Sequence, residues 1–227
     1  MNYNLHNCNV IKYNSSRLPN FVNTFNNWTA PCVDVTSNVV NIVGIANFNN
    51  PLNLEFFNNN WKNAVYEPKK IPCVRIPLAF KDFNAVALVY NSGKVVITGV
   101  NHVDLVQKAF RTIALFYNQF VYDFGLPQFN FRFTNVVATA NIKQNINLLL
   151  LPAADKNIKF DPETFPAAMF SANVFINAHA TVLIYANGKL VVTGAKKVFL
   201  AHTIAQFTIR ELLPRFNIKV DRFNDAF

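Results

Sequence analysis

Apolar residues fall into two rhythms along this chain. From His102 to Tyr122, Val103, Val106, Phe110, Ile113, Ala114 and Tyr117 recur three or four residues apart, which predicts an amphipathic helix with one apolar stripe. Around Asn91-Ser92-Gly93-Lys94 the period is two. There Val89, Val95 and Ile97 fall on one face of a hairpin, and Leu88, Tyr90, Val96 and Thr98 on the other, with Gly93 supplying the positive φ of the tight turn. Both faces are apolar. An antiparallel sheet normally keeps one face on the core and turns a polar face to water. A second apolar face is therefore either buried in a larger sandwich or a binding surface.

The pattern occurs twice. Asn41-Ile42-Val43-Gly44-Ile45-Ala46-Asn47 returns as Asn135-Val136-Val137-Ala138-Thr139-Ala140-Asn141, and Leu88-Val89-Tyr90-Asn91-Ser92-Gly93-Lys94 returns as Leu183-Ile184-Tyr185-Ala186-Asn187-Gly188-Lys189. Two long copies in tandem predict a pseudo-twofold object rather than a solenoid. Each copy reads as an apolar strand, a short amphipathic helix (Leu52 to Trp61; Ile146 to Ala154), three strands and a longer helix, the second long one from Lys197 to Leu213. Helices must then cover one face of the strands. Residues 1–38 lack sustained periodicity and read as an Asn-rich N-terminal extension, residues 39–130 as the first repeat and 131–227 as the second, forming one continuous unit.

Charge adds a class of partner. The formal net charge of +9 favours a polyanion such as nucleic acid or an acidic membrane surface. No apolar stretch approaches the roughly 18 residues of a membrane span, and the start lacks a signal-peptide pattern, so the expectation is a soluble intracellular protein. Cys8, Cys32 and Cys73 are odd in number and widely spaced, which supports neither a disulfide framework nor a zinc site. His6, His102, His179 and His202 show no metal-ligand spacing, and no nucleophile motif is present. The expectation is a protein without metal or cofactor, without a small-molecule substrate, and not an enzyme.

Several motifs in order then carry a specific likeness. They are the Asn-Ile-Val opening at Asn41, Tyr66-Glu67-Pro68-Lys69-Lys70, Ser92-Gly93-Lys94 with Thr98-Gly99, Phe160-Asp161-Pro162-Glu163-Thr164-Phe165-Pro166, and Gly188-Lys189 with Val192-Thr193-Gly194-Ala195. Over residues 39 to about 216 the chain resembles the TATA-box-binding protein family, as a divergent member. The resemblance implies an α+β saddle of two tandem repeats, with a concave ten-stranded antiparallel sheet and four helices on the convex face. It implies a transcription initiation factor that grips A·T-rich promoter DNA in the minor groove and bends it.

The site residues follow from that resemblance. Val43, Leu88, Val96, Val137, Leu183 and Val191 match positions that touch the groove floor, Asn41 and Asn135 the central pair of donors, and Thr98 and Thr193 the flanking hydroxyls. An apolar floor selects A·T pairs because a guanine amino group would clash and lose its hydrogen bond. The wedge positions, which in the family open base steps, hold Ile71 and Tyr90 in the first copy and Phe165 and Tyr185 in the second. The Phe165 end is expected to kink more strongly. Lys69, Lys70, Lys94 and Lys189 match phosphate contacts, whereas Ser171 stands where the family usually has Arg. The loops Pro77 to Asn84 and Ser171 to Thr181 are longer than the family pattern.

Asp161, Pro162 and Glu163 match a loop that contacts a general transcription factor B-like protein, and the RNA polymerase machinery would follow. The convex second helix carries Lys196, Lys197 and Arg210, with Phe199, Phe207 and Ile209 more prominent. The resemblance implies the nucleus, or a viral factory or virion if the source is a large DNA virus. Two alternatives remain: a family-like regulator that mainly binds transcription factors, by sequestration or as a scaffold, and an accessory module of a nucleic-acid enzyme.

Overall fold

In the computed structural model, residues 37–119, 131–172 and 179–216 are described. Cys8, Cys32, His6, residues 120–122 of the expected first long helix, most of the expected extension and residues 173–178 of the longer loop lie outside them.

Ten strands form one antiparallel sheet: β1 (Asn38–Asn47), β2 (Val65–Tyr66), β3 (Cys73–Ala79), β4 (Asn84–Tyr90), β5 (Lys94–Val100), β6 (Arg132–Asn141), β7 (Ile158–Lys159), β8 (Ala167–Ser171), β9 (Thr181–Tyr185) and β10 (Lys189–Ala195). Their order is β2-β3-β4-β5-β1-β6-β10-β9-β8-β7. The two repeats therefore meet strand to strand at the centre, where Ile42 lies opposite Val136 and Val43 opposite Asn135. Each repeat has four strands after its short helix, not the three expected, because β2 and β7 are two residues long and too short to show a period.

Among the described residues, four α-helices cover one face: α1 (Leu54–Asn60), α2 (Val103–Asn118), α3 (Leu151–Ala154) and α4 (Val198–Phe207). Helix α2 packs on β5 and β1, and α4 on β10 and β6. Helix α1 begins after Asn53, whose side chain accepts from Phe56 N at 3.0 Å, and α2 after His102, whose ring accepts from Asp104 N at 3.4 Å. Gly44 permits the close approach of α2, since a Cβ there would meet Val106 Cγ1 at 2.5 Å. An aromatic cluster, Phe57 stacked on Tyr117 at 5.2 Å and Trp61 tilted against Phe116 at 4.4 Å, fastens α1 to α2.

Three helical expectations change in detail. The second short helix is a 3₁₀ turn, Leu148–Leu150, followed by a single α turn with Pro152 at its start, where its missing N–H is not needed. The second long helix is α only to Phe207, widens to a π turn over Thr208–Leu212 and tightens to 3₁₀ over Leu213–Phe216. Thr208, fully buried, returns its hydroxyl to Ile204 O at 2.9 Å, and such back-bonding loosens a helix at that point. Phe207, on the inner face of the α turn, and Ile209, in the π turn, are buried in the core rather than prominent on the back. Phe199 alone of the three is exposed, at 67%. Near the start of β1, Ser37 Oγ lies 2.6 Å from Nδ1 of His202 on α4, and burial holds that imidazole below its usual pKa.

Burial alternates along the strands. Ile42, Ile76, Val89, Ile97, Val136, Val182, Ile184 and Leu190 are fully buried under the helices. The intervening residues, Asn41 and Val43 on β1, Leu88 and Tyr90 on β4, Val137 on β6 and Leu183 and Tyr185 on β9, keep part of their surface. No element among the described residues covers that second face.

Candidate nucleic-acid interface

The open face gathers residues from both copies. Cross-strand register puts Leu88 beside Val96 and Val96 beside Ile45; in the second copy Leu183 stands beside Val191 and Val191 beside Thr139. Val43 and Val137 lie on the two central strands. The structure thus brings the six expected floor residues to one apolar surface, about 4.8 Å from strand to strand.

At its centre the backbone is irregular. Between Ile42 and Gly44 the register on β5 advances by one extra residue, and the same shift recurs on β10 opposite β6. These bulges hold Gly99 at φ +85° and Gly194 at φ +87°, a left-handed region that glycine enters without a Cβ clash. Each bulge frees a backbone N–H from the ladder, and an asparagine takes it. Gly99 N donates to Asn41 Oδ1 at 2.9 Å and Gly194 N to Asn135 Oδ1 at 2.7 Å. Thr98 Oγ1 donates to the same Asn41 oxygen at 3.3 Å, and Thr193 Oγ1 lies 3.5 Å from that of Asn135.

Because a backbone N–H can only donate, these bonds fix the amide orientation. The Oδ1 atoms are occupied, and the NH₂ groups remain as donors. The threonines, expected as flanking hydroxyls, act here first as partners of the asparagines. Gly99 and Gly194 are positioning residues that sequence reading quoted only as motif members.

The wedge loops are built alike but not equally. Between β2 and β3, Lys70 N and Ile71 N both donate to Glu67 O, at 2.9 and 3.0 Å; between β7 and β8, Thr164 N and Phe165 N donate to Asp161 O, at 3.2 and 3.0 Å. The side chains then diverge. Asp161 caps its own loop, accepting from Glu163 N at 3.1 Å and Thr164 Oγ1 at 2.5 Å, so its carboxylate serves the turn; Glu163 and Pro162 stay exposed. Glu67 instead pairs with Lys70 at 2.5 Å, which offsets part of the charge expected to meet a phosphate. Phe165 is 36% exposed and Ile71 57%.

The tyrosines differ too. Tyr90 lies opposite Cys73, and burial, and then the neighbouring thiol, raise the phenol's pKa. Lys94 Nζ sits 4.9 Å from the Tyr90 ring centre. Tyr185 lies opposite Ala167, which offers no polar side chain. The two tyrosines therefore stand beside different neighbours, a thiol at the first-copy end and a methyl at the second.

Cations line the strand ends. Lys94 and Lys189 lie opposite Asn47 and Asn141 at the hairpin ends of β1 and β6. Arg132, opposite Ile45, shares a depression with Lys94 and Ser92 and was not among the expected contacts. Lys69 is exposed, and so is Ser171. Between β3 and β4, within the stretch Pro77 to Asn84, the connection runs from Phe80 to Phe83. Its two rings stack at 4.2 Å with Lys108 Nζ 5.0 Å above Phe80. Among the described residues no group of His, Cys, Asp and Glu has metal-ligand geometry, and no helix is long and apolar enough to cross a membrane.

The family described as "Transcription factor TFIID (or TATA-binding protein, TBP)" matches residues 36–120 and again 130–214. The TATA box-binding protein-like 2 of Rattus norvegicus is 32% identical over 73% of this chain, and the chain spans less than half of that relative's length, 46%. The TATA-box-binding protein-like 1 of Entamoeba histolytica is 33% identical over 70% of the chain and 71% of its own. The TATA-box-binding protein of Archaeoglobus fulgidus is 29% identical over 72% of the chain and 87% of its own. The solved structure of Methanococcus jannaschii TBP superposes with a TM-score of 0.65 at 24% identity, covering 80% of this chain and 98% of that one, and so shares the saddle fold.

Proposed function

This chain belongs to the TATA-binding protein family, a family of transcription factors and not of enzymes, and from that premise we propose that it binds A·T-rich promoter DNA in the minor groove, bends it and recruits initiation machinery. The observation that carries the reading is the central asparagine pair. Each has its oxygen held by a glycine N–H and its NH₂ left to donate, in the middle of an uncovered apolar face. The floor of the minor groove at A·T pairs presents only acceptors, adenine N3 and thymine O2. Donors without competing acceptors fit that floor, and Val43, Leu88, Val96, Val137, Leu183 and Val191 supply the contact that a guanine amino group would obstruct.

Bending follows from the ends. Phe165 and Ile71, on the loops before β8 and β3, with Tyr185 and Tyr90 at the ends of β9 and β4, stand toward the two ends of the sheet, where side chains can enter base steps. Lys69, Lys94, Lys189 and Arg132 flank the face for phosphate contacts, with Lys70 weakened by its pairing to Glu67. Glu163, exposed beside the Asp161-capped turn, is suited to a protein partner of the general factor B type, because phosphate would repel it. Nuclear action follows from such a role in a eukaryotic cell. The regulator reading is favoured by one observation, Ile71 at a wedge position, which gives that end no aromatic ring to stack in a base step.

Fluorescence energy transfer across an end-labelled A·T-rich duplex separates the two. Micromolar protein at low salt is expected to shorten the end-to-end distance. Binding of initiation factors with no change in that distance would leave the regulator in its place.

A further inference from the structure

Residue for residue, the outer strands of the two copies exchange a charge. In the second copy Lys159 on β7 lies opposite Met169 on β8, and Met169 opposite Leu183. In the first copy the corresponding row is Val65 on β2, Arg75 on β3 and Leu88 on β4. The apolar residue and the cation have changed places. Arg75 stands one strand further in than Lys159, about 4.8 Å closer to the groove-floor residues. It is exposed on the open face, beside Leu88 and with Cys73 and Pro77 as its neighbours along the strand. Among the described residues it makes no ion pair.

We propose that Arg75 is a specificity-determining residue that enters the minor groove under the first-copy half, reads A·T acceptors there and sets the orientation of the protein on DNA. This rests on the minor-groove reading above. A guanidinium is donor-only and weakly hydrated, so it matches a groove floor of acceptors and is repelled by the guanine amino donor. A narrow groove over an A-tract concentrates negative potential and attracts arginine. The second half is built for the opposite substrate. Phe165 and Met169 present polarisable apolar surface to a step that opens, and pyrimidine–purine steps open most readily. The first-copy half therefore takes the stiff A-tract and the second-copy half the flexible step, which gives a pseudo-symmetric clamp one preferred direction.

The test uses the full chain and a duplex with an A-tract on one side and TA steps on the other. Arg75→Met, which copies the second repeat, is expected to reduce affinity about tenfold by anisotropy, and Arg75→Lys to recover only part of it. The salt dependence should flatten by about one counterion, a log–log slope change near 0.9. Replacing adenine by 3-deazaadenine in the A-tract, away from the central steps, removes N3 acceptors. That change should weaken the wild type about tenfold and Arg75→Met little. Equal losses in both proteins, or an Arg75→Met variant that binds like the wild type, would overturn the role of Arg75 alone. A wild-type protein that binds no A·T-rich duplex would overturn this proposal and the minor-groove reading together. Arg75 is exposed, so unchanged thermal melting will show that the variants are folded.

Discussion

Changing both central asparagines to aspartate, Asn41→Asp with Asn135→Asp, is expected to lower affinity for an A·T-rich duplex by about a hundredfold or more, with the fold intact. Aspartate keeps the oxygen that accepts from Gly99 N and Gly194 N, so both bulges stay satisfied. It loses the NH₂ donor and turns a negative charge toward groove acceptors. Each lost donor costs about 1–3 kcal/mol, and two losses multiply the effect on binding. Asparagine-to-alanine changes would be less informative, because they also orphan a glycine N–H and threaten the bulge. The variants should be compared by anisotropy titration and thermal melting. Near wild-type binding by the double aspartate variant would remove the central pair from the interface.

Phe165→Ala is expected to reduce DNA bending more than Ile71→Ala, measured as the change in end-to-end distance on a labelled duplex. Holding a bent site costs on the order of 1–6 kcal/mol, and stacking an aromatic ring on a base returns about 1–3 kcal/mol. Phe165 can supply that stacking from a loop held by the Asp161 carboxylate and carbonyl. Isoleucine has no π face, and Tyr90, the other wedge position of that copy, already carries Lys94 over its ring. The first-copy wedge contributes less from the start, so its removal matters less. Ile71→Phe should increase the bend. Equal effects of the two alanine changes would contradict the asymmetry between the ends.

Much of this geometry could be read from the chain because it is local. The stripe from Val103 to Tyr117 became one helix face, and Gly93 and Gly188 took positive φ at their hairpins. The floor residues shared a face because period two survives any error in strand ends. What escaped reading depended on partners far apart in sequence. The bond from Gly99 to Asn41 spans 58 residues, and no local signal separates a bulge glycine from any other glycine in a strand. The exchange between Arg75 and Lys159 is visible only when two-residue strands, which have no period of their own, fix the register. Phe207 lies on the buried face of the α turn itself, three residues after Ile204, whereas Ile209 falls in the π turn from Thr208, a change of pitch that the apolar pattern does not encode. Lys70 read as a free cation until the loop brought Glu67 to it.

The minor-groove reading makes one demand that no major-groove or purely electrostatic mode shares. Inosine·cytosine pairs lack the guanine amino group in the minor groove but keep the same major-groove edge as G·C. Affinities for matched duplexes with A·T, I·C or G·C in the central site, at one salt concentration, test it directly. Binding to I·C close to that for A·T, with G·C much weaker, is the predicted result. Equal weakening by I·C and G·C, or equal binding to all three, would contradict it.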